Sequence, residues 1–104
     1  MTGPADTNIP TTERAVLIFK TERCPYCVAA SRYLREVKGV ADGAIAEVDL
    51  THDHDTRIEL ARVSGQRTVP QIWIGAHHVG GYDDLRALDA RGALDALLGG
   101  PTGR

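Results

Sequence analysis

Apolar positions along this chain follow two rhythms. Residues 14–20, Arg-Ala-Val-Leu-Ile-Phe-Lys, form a short continuous apolar run rich in branched side chains. Such a run predicts a buried strand. From Pro25 the rhythm changes, and Val28, Ala29, Tyr33, Leu34 and Val37 recur at helical spacing. Lys38 and Gly39 close that helix, a cation in the last turn and a residue that accepts left-handed dihedrals. Residues 45–50, Ile-Ala-Glu-Val-Asp-Leu, alternate as a second strand. Two strands joined through a helix predict a parallel pair.

The second half repeats the theme and then folds back. Residues 51–55, Thr-His-Asp-His-Asp, read as a turn, with Asp55 as the expected cap of a helix over 56–63. Its apolar positions are Ile58, Leu60, Ala61 and Val63, and Ser64-Gly65 stop it. Residues 71–74 and 77–79 flank Gly75-Ala76 and predict an antiparallel hairpin, with Ile72 and Trp73 in the core. Gly80-Gly81 break it. A last helix is expected from Asp83 through Leu88, interrupted at Gly92 and resumed over 93–98. The order β-α-β-α-β-β-α describes one α/β domain over residues 14–98. Residues 1–13, with Gly3, Pro4 and Pro10, read as a disordered tail, and residues 99–104 as a second.

Composition narrows the function classes. The chain has 104 residues, 42% hydrophobic and 25% charged, with a net charge of −2. That balance favours neither nucleic acid nor an anionic membrane as a partner. The first thirteen residues carry no basic start and no apolar run, so no secretory signal is read and a cytoplasmic location is expected. In that compartment thiols stay mostly reduced and disulfides are transient.

The chemistry concentrates in the only two cysteines, Cys24 and Cys27. They stand where the first strand hands over to the first helix. Pro25 suits the first helical position, which makes Cys24 the N-cap and Cys27 the third helical residue. Backbone N–H groups and the helix dipole both favour a thiolate at the cap. Such settings bring a thiol from about 8.5 to roughly 3.5–7.5. Lys20 and Arg23 flank the pair and act in the same direction. Cys24 is therefore the expected attacking thiol and Cys27, better covered, the resolving one. Zinc is a poor alternative: there is one Cys-x-x-Cys pair, and His52, His54, His77 and His78 lack ligand spacing. A purely structural bridge is poor as well, because so small a loop stabilises little. No metal site is expected.

Three segments now resemble one family. Cys24-Pro25-Tyr26-Cys27, then Thr68-Val69-Pro70-Gln71-Ile72, then Gly80-Gly81-Tyr82-Asp83-Asp84-Leu85 are similar to the signatures of dithiol, bacterial-type glutaredoxins, in order and spacing. The resemblance covers nearly all of residues 14–98. It implies a thioredoxin fold, with a four-stranded mixed sheet flanked by helices and a cis Val69–Pro70 bond beside the cysteines. It implies glutathione as co-substrate and no permanently bound cofactor. The implied partners are glutathione and glutathionylated or disulfide-containing proteins; a monomer is expected, and the charge balance leads to no expectation of nucleic acid or membrane.

Glutathione presents two carboxylates and an ammonium around its cysteine. Lys20 and Arg57 are candidates for the glycyl carboxylate. The backbone of Val69, exposed by Pro70, can pair with the glutathionyl cysteine, and Gly81 admits its approach. The N-terminus of the last helix suits the γ-glutamyl carboxylate, and Asp83 or Asp84 its ammonium. Thr68 lines the groove, and Tyr26 is a further glutathione candidate that either packs over the Cys24 sulfur or only shields it. Simpler readings stand beside these: Lys20 as a solvated strand end, Asp83 or Asp84 as helix caps, and Arg57, Gln66 and Arg67 as solvated side chains. Two other functions share the motif. One is a redoxin reduced by a flavoenzyme and serving ribonucleotide reductase. The other is a module binding an iron–sulfur cluster ligated by glutathione.

Overall fold

The computed structural model describes residues 16–99, so both expected tails fall outside it save Gly99. The elements are β1 (Val16–Lys20), α1 (Pro25–Arg32), β2 (Ile45–Asp49), α2 (His54–Ser64), β3 (Gln71–Ile74), β4 (His77–Gly80), α3 (Tyr82–Ala90) and α4 (Ala93–Leu97). The four strands form one mixed sheet in the order β2-β1-β3-β4. β1 runs parallel to β2 and antiparallel to β3, with Ile18 opposite both Glu47 and Ile72. This is the expected thioredoxin-type arrangement, with the βαβ unit leading and the hairpin following.

Alternation along β1 divides the core. Val16 and Ile18 pack on one face with Ala30, Leu34, Ile72, Leu85 and Leu94. Leu17 and Phe19 pack on the other with Leu50 and Leu60. Helices α1, α3 and α4 therefore cover one face and α2 the other. β1 is central and buried on both faces, which is why it reads as a continuous apolar run.

Two helices depart from their expected form. The first is α-helical only to Arg32 and continues over Tyr33–Val37 as a π-helical turn, in which the Lys38 N–H donates to the Tyr33 carbonyl at 3.0 Å. Its buried seam is Cys27, Ala30 and Leu34, whereas Val28 and Val37 are 58% and 63% exposed. Lys38 also does more than end the helix. Its ammonium meets Asp89 at 2.7 Å and Asp95 at 3.0 Å, tying the helix to α3 and α4.

The second helix starts at His54, and Asp53 rather than Asp55 caps it, accepting the Thr56 N–H at 3.1 Å. Either aspartate satisfies the cap preference. The turn geometry after Leu50, whose carbonyl accepts the Asp53 N–H, selects the earlier one. Ile58 is exposed, and the core contacts of α2 come from Leu60 and, partly buried, Val63, with Thr56 buried beside the cap. α3 begins one residue earlier than expected, at Tyr82.

Candidate active site

The chain leaves β1 at Lys20 and reverses direction in three residues. Arg23 makes the reversal with φ 60°, the only non-glycine residue in the left-handed region among those described. A conformation of that kind costs on the order of 1 kcal/mol and occurs where the surroundings enforce it. Here Glu22 N–H donates to the Thr51 hydroxyl at 2.8 Å, fastening the reversal to the β2–α2 turn. The reversal delivers Cys24 to the N-cap of α1, followed by Pro25 at its first position.

Cys24 and Cys27 are joined as a disulfide, with Cα atoms 5.2 Å apart. The Cys27 N–H donates to Cys24 Sγ at 3.2 Å, the contact expected of an N-cap side chain. Cys27 is buried at 3% exposure, while Cys24 is half-buried. Cys24 Sγ lies 3.9 Å from the Val69 carbonyl oxygen. The Val69–Pro70 bond is cis, as the resemblance implied.

Beside Val69 opens a groove of about 600 Å³, whose lining includes neither cysteine. Its walls include Tyr26, Thr68, Val69, Pro70, Gly81, Asp83 and Asp84 from the predicted set. Lys20 and Arg57 are not among them. The Lys20 ammonium is paired with Glu47 at 2.9 Å on the neighbouring strand. Glu47 also accepts from the Ser31 hydroxyl and from Arg35, each at 2.8 Å. Burial alone would raise the Glu47 carboxyl, but hydrogen bonds from Lys20, Arg35 and Ser31 outweigh it and bring it down to about 2.

The two aspartates have separate places. Asp84 accepts the Gly81 N–H at 2.9 Å and so caps α3. Asp83 lies one position earlier, exposed, in the first turn. The glycine that geometry demands is Gly80 rather than Gly81. Gly80 has φ 112°, and a Cβ there would collide with the Asp84 carboxylate. A Cβ on Gly81 would meet the Pro70 carbonyl oxygen at an ordinary 3.7 Å.

Sequence reasoning gives several groove residues no role, or only an open one. Tyr82 stands 6.4 Å from both Tyr26 and Tyr33, ring to ring, and accepts from Arg86 at 3.0 Å. The Arg86 guanidinium also lies 4.9 Å over the Tyr33 ring. Tyr82 sits inside the third quoted signature, and the available signal was its aromatic neighbours, Tyr26 on α1 and Tyr33 in the π-helical turn that follows. Gln66 and His78 line the groove as well. Burial holds the His78 imidazole below its ordinary range, against the pull of the Asp84 carboxylate.

A dithiol at a helix N-terminus, facing a cis-proline loop on a four-stranded mixed sheet, defines a thiol–disulfide oxidoreductase of thioredoxin-like fold. The glutaredoxin family profile matches residues 16–79. A glutaredoxin of Pseudomonas aeruginosa is 51% identical over 83 residues, covering 80% of this chain and 94% of its own. The solution structure of a Brucella melitensis glutaredoxin superposes with a TM-score of 0.69 at 42% identity, over 86% of this chain and 92% of that one. A crystal structure of a buckwheat glutaredoxin–glutathione complex gives 0.70 at 28% identity, over 81% and 76%. The chain belongs to the glutaredoxin family. It is a dithiol member, a glutathione-dependent thiol–disulfide oxidoreductase.

Proposed function

We propose that the groove holds the glutathionyl half of a mixed disulfide and that Cys24 is the sulfur that receives it. One observation carries this reading. Cys24 Sγ is half-exposed at the cap of α1, 3.9 Å from the Val69 carbonyl that borders the groove, while Cys27 is buried.

The chemistry then follows from exchange at sulfur. The Cys24 thiolate attacks the glutathione sulfur of a protein–glutathione disulfide. A Cys24–glutathione bond forms as the old bond breaks, and the protein sulfur leaves as a thiolate and takes a proton from water. A second glutathione thiolate attacks the glutathione sulfur held on Cys24. Oxidised glutathione leaves and the Cys24 thiolate returns. With a protein disulfide, Cys24 bonds one sulfur and Cys27 displaces it, leaving the Cys24–Cys27 bridge that two glutathiones then reduce. Glutaredoxin potentials of about −200 to −230 mV lie close to the glutathione pool, so each step reverses readily.

Recognition divides along the peptide. The Val69 main chain pairs with the glutathionyl cysteine, between walls made by Thr68, Pro70, Gly81 and Tyr26. The first free N–H groups of α3 meet the γ-glutamyl carboxylate. Asp83 and Asp84 meet its ammonium, and Lys20 with Arg57 the glycyl carboxylate. The glutathione complex of the buckwheat relative supports glutathione as the co-substrate. The protein partners are glutathionylated and disulfide-containing proteins of the cytoplasm, met by a monomer. The test is turnover of a glutathionylated peptide, coupled through glutathione reductase. Activity with glutathione at least tenfold above that with an equimolar simple thiol is expected. Equal rates with both would remove glutathione from the groove.

A further inference from the structure

The loop that carries Val69 has a latch behind it. The Gln66 side-chain amide donates to the Thr68 carbonyl at 2.9 Å, to the Pro70 carbonyl at 2.9 Å and to the Thr68 hydroxyl at 3.3 Å. An amide nitrogen surrounded by carbonyl oxygens can only be the NH2 end, so Gln66 Oε1 must face the other way. There it lies 3.1 Å from His78 Nε2. Because Oε1 only accepts, the proton of the imidazole sits on Nε2. His78 therefore aims Gln66, and Gln66 grips the loop on both sides of Val69. The back of the latch is closed as well. The Gln71 amide donates to the Gln66 carbonyl at 3.2 Å, Trp73 donates to Gln71 Oε1 at 3.1 Å, and the Trp73 and His78 rings are 4.9 Å apart.

We infer that Gln66 and His78 are positioning residues for glutathione: they fix the direction of the Val69 main chain, and so set affinity for the glutathionyl group without touching the reacting sulfurs. This rests on the proposed seating of glutathione against Val69. A main-chain pairing is directional, and a small rotation of its groups weakens it steeply. Neither residue approaches Cys24 in the bonding pattern, so the loss should appear in binding and not in the rate of the bound complex. His78 keeps its Nε2 proton whether neutral or charged, so the latch itself is insensitive to pH between neutrality and acid.

The experiment compares Gln66→Met, Gln66→Glu, His78→Phe and His78→Gln on a glutathionylated peptide and on a peptide disulfide lacking glutathione. Gln66→Met and Gln66→Glu both remove the amide donors, and His78→Phe removes the donor that aims them. Each of these three should raise KM for the glutathionylated peptide about tenfold, the effect of ~1.4 kcal/mol, with kcat within about twofold. His78→Gln can place an N–H where Nε2 stood and should restore most of the loss. The Gln66→Met, His78→Phe double variant should lose little more than either single one, since both break one device. Amide resonances of Thr68 and Val69 should move in the three damaging variants and stay in His78→Gln. Unchanged KM in the damaging variants, equal loss on both substrates, or no rescue by His78→Gln overturns the latch. If the wild-type protein itself shows no preference for the glutathionylated peptide, the seating of glutathione falls first, and the role of the latch falls with it.

Discussion

The two ends of the proposed glutathione cradle are built differently. At the γ-glutamyl end, Asp83, Asp84 and the start of α3 all border the groove. At the glycyl end, Lys20 is held by Glu47 at 2.9 Å, and both Lys20 and Arg57 stand outside the groove lining. The first end is assembled by local sequence, since a helix start brings its own N–H groups and its own acidic residues. The second depends on a cation that the protein also uses to neutralise a half-buried carboxylate. A ligand carboxylate there must compete with Glu47. The γ-glutamyl end should thus contribute more to recognition than the glycyl end, and each variant below measures part of that inequality.

The sulfur between the two ends sets the upper limit. Cys24→Ser should abolish turnover of every substrate, because neither end matters without it. Cys27→Ser should keep turnover of glutathionylated peptide and lose reduction of protein disulfides. Iodoacetamide labelling of the reduced protein at pH 6, located by mass spectrometry, should fall on Cys24, whose sulfur accepts the Cys27 N–H. Labelling of Cys27 first would reverse the assignment of roles.

The γ-glutamyl end comes next in size. A charge-assisted contact that is partly shielded is worth roughly 1.5–3 kcal/mol. Asp83→Asn should therefore cost about tenfold or more in kcat/KM on a glutathionylated peptide and little on a disulfide without glutathione. Asp84→Asn should show the same selectivity with an added loss of thermal stability, because Asp84 also accepts the Gly81 N–H. Equal losses on both substrates would reduce the Gly80–Asp84 stretch to a helix cap.

This inequality was only half visible in the sequence. The strands, the βαβ unit, the cysteine placement and the acidic helix start are all local patterns, and they read directly. What stayed hidden was long-range. Lys20 and Glu47 are 27 residues apart, and only the parallel register of β1 and β2 brings them together. Gln66 and His78 are 12 apart and meet between the loop before β3 and the strand β4, so the sequence alone leaves Gln66 open between a site residue and a solvated one. The π-helical turn at Tyr33–Val37 is another case. Val28 and Val37 fit a helical stripe on paper, yet of that stripe Tyr33 and Leu34 pack, together with Cys27 and Ala30. Choosing between two overlapping stripes needs knowledge of where the sheet lies.

The glycyl end should give a smaller response. Lys20 keeps about a third of its side chain in solvent, and a contact screened to that degree is worth about 1 kcal/mol. Lys20→Gln should then raise KM for the glutathionylated peptide by no more than about fivefold. A larger loss, matching that of Asp83→Asn, would mean that the two ends are equivalent.

Glu47→Gln should have the smallest effect on turnover at neutral pH and the most distinctive effect in acid. At pH 7 it releases Lys20 for the ligand carboxylate, and KM should fall slightly or hold. The stability curve is where Glu47 becomes visible. Its carboxyl is brought down to about 2 from an ordinary value of 4.5. A depressed folded-state value means that the folded protein prefers the ionised form more than the unfolded chain does. That contribution is complete above about pH 4.5 and is lost as pH falls toward about 2. The wild-type protein should therefore melt higher than Glu47→Gln at neutral pH, and the gap should close across that window. The variant keeps a residual slope, because hydrogen bonds from Lys38 and Tyr33 hold Asp89 low by a similar cause. Melting curves at pH 7, 4.5, 3 and 2 measure the closing directly. A gap that stays constant down to pH 2 would mean that Glu47 acts only by shape. Lys20 would then be no more committed to its strand neighbour than to the ligand, and the difference between the two ends of the cradle would lose its physical cause.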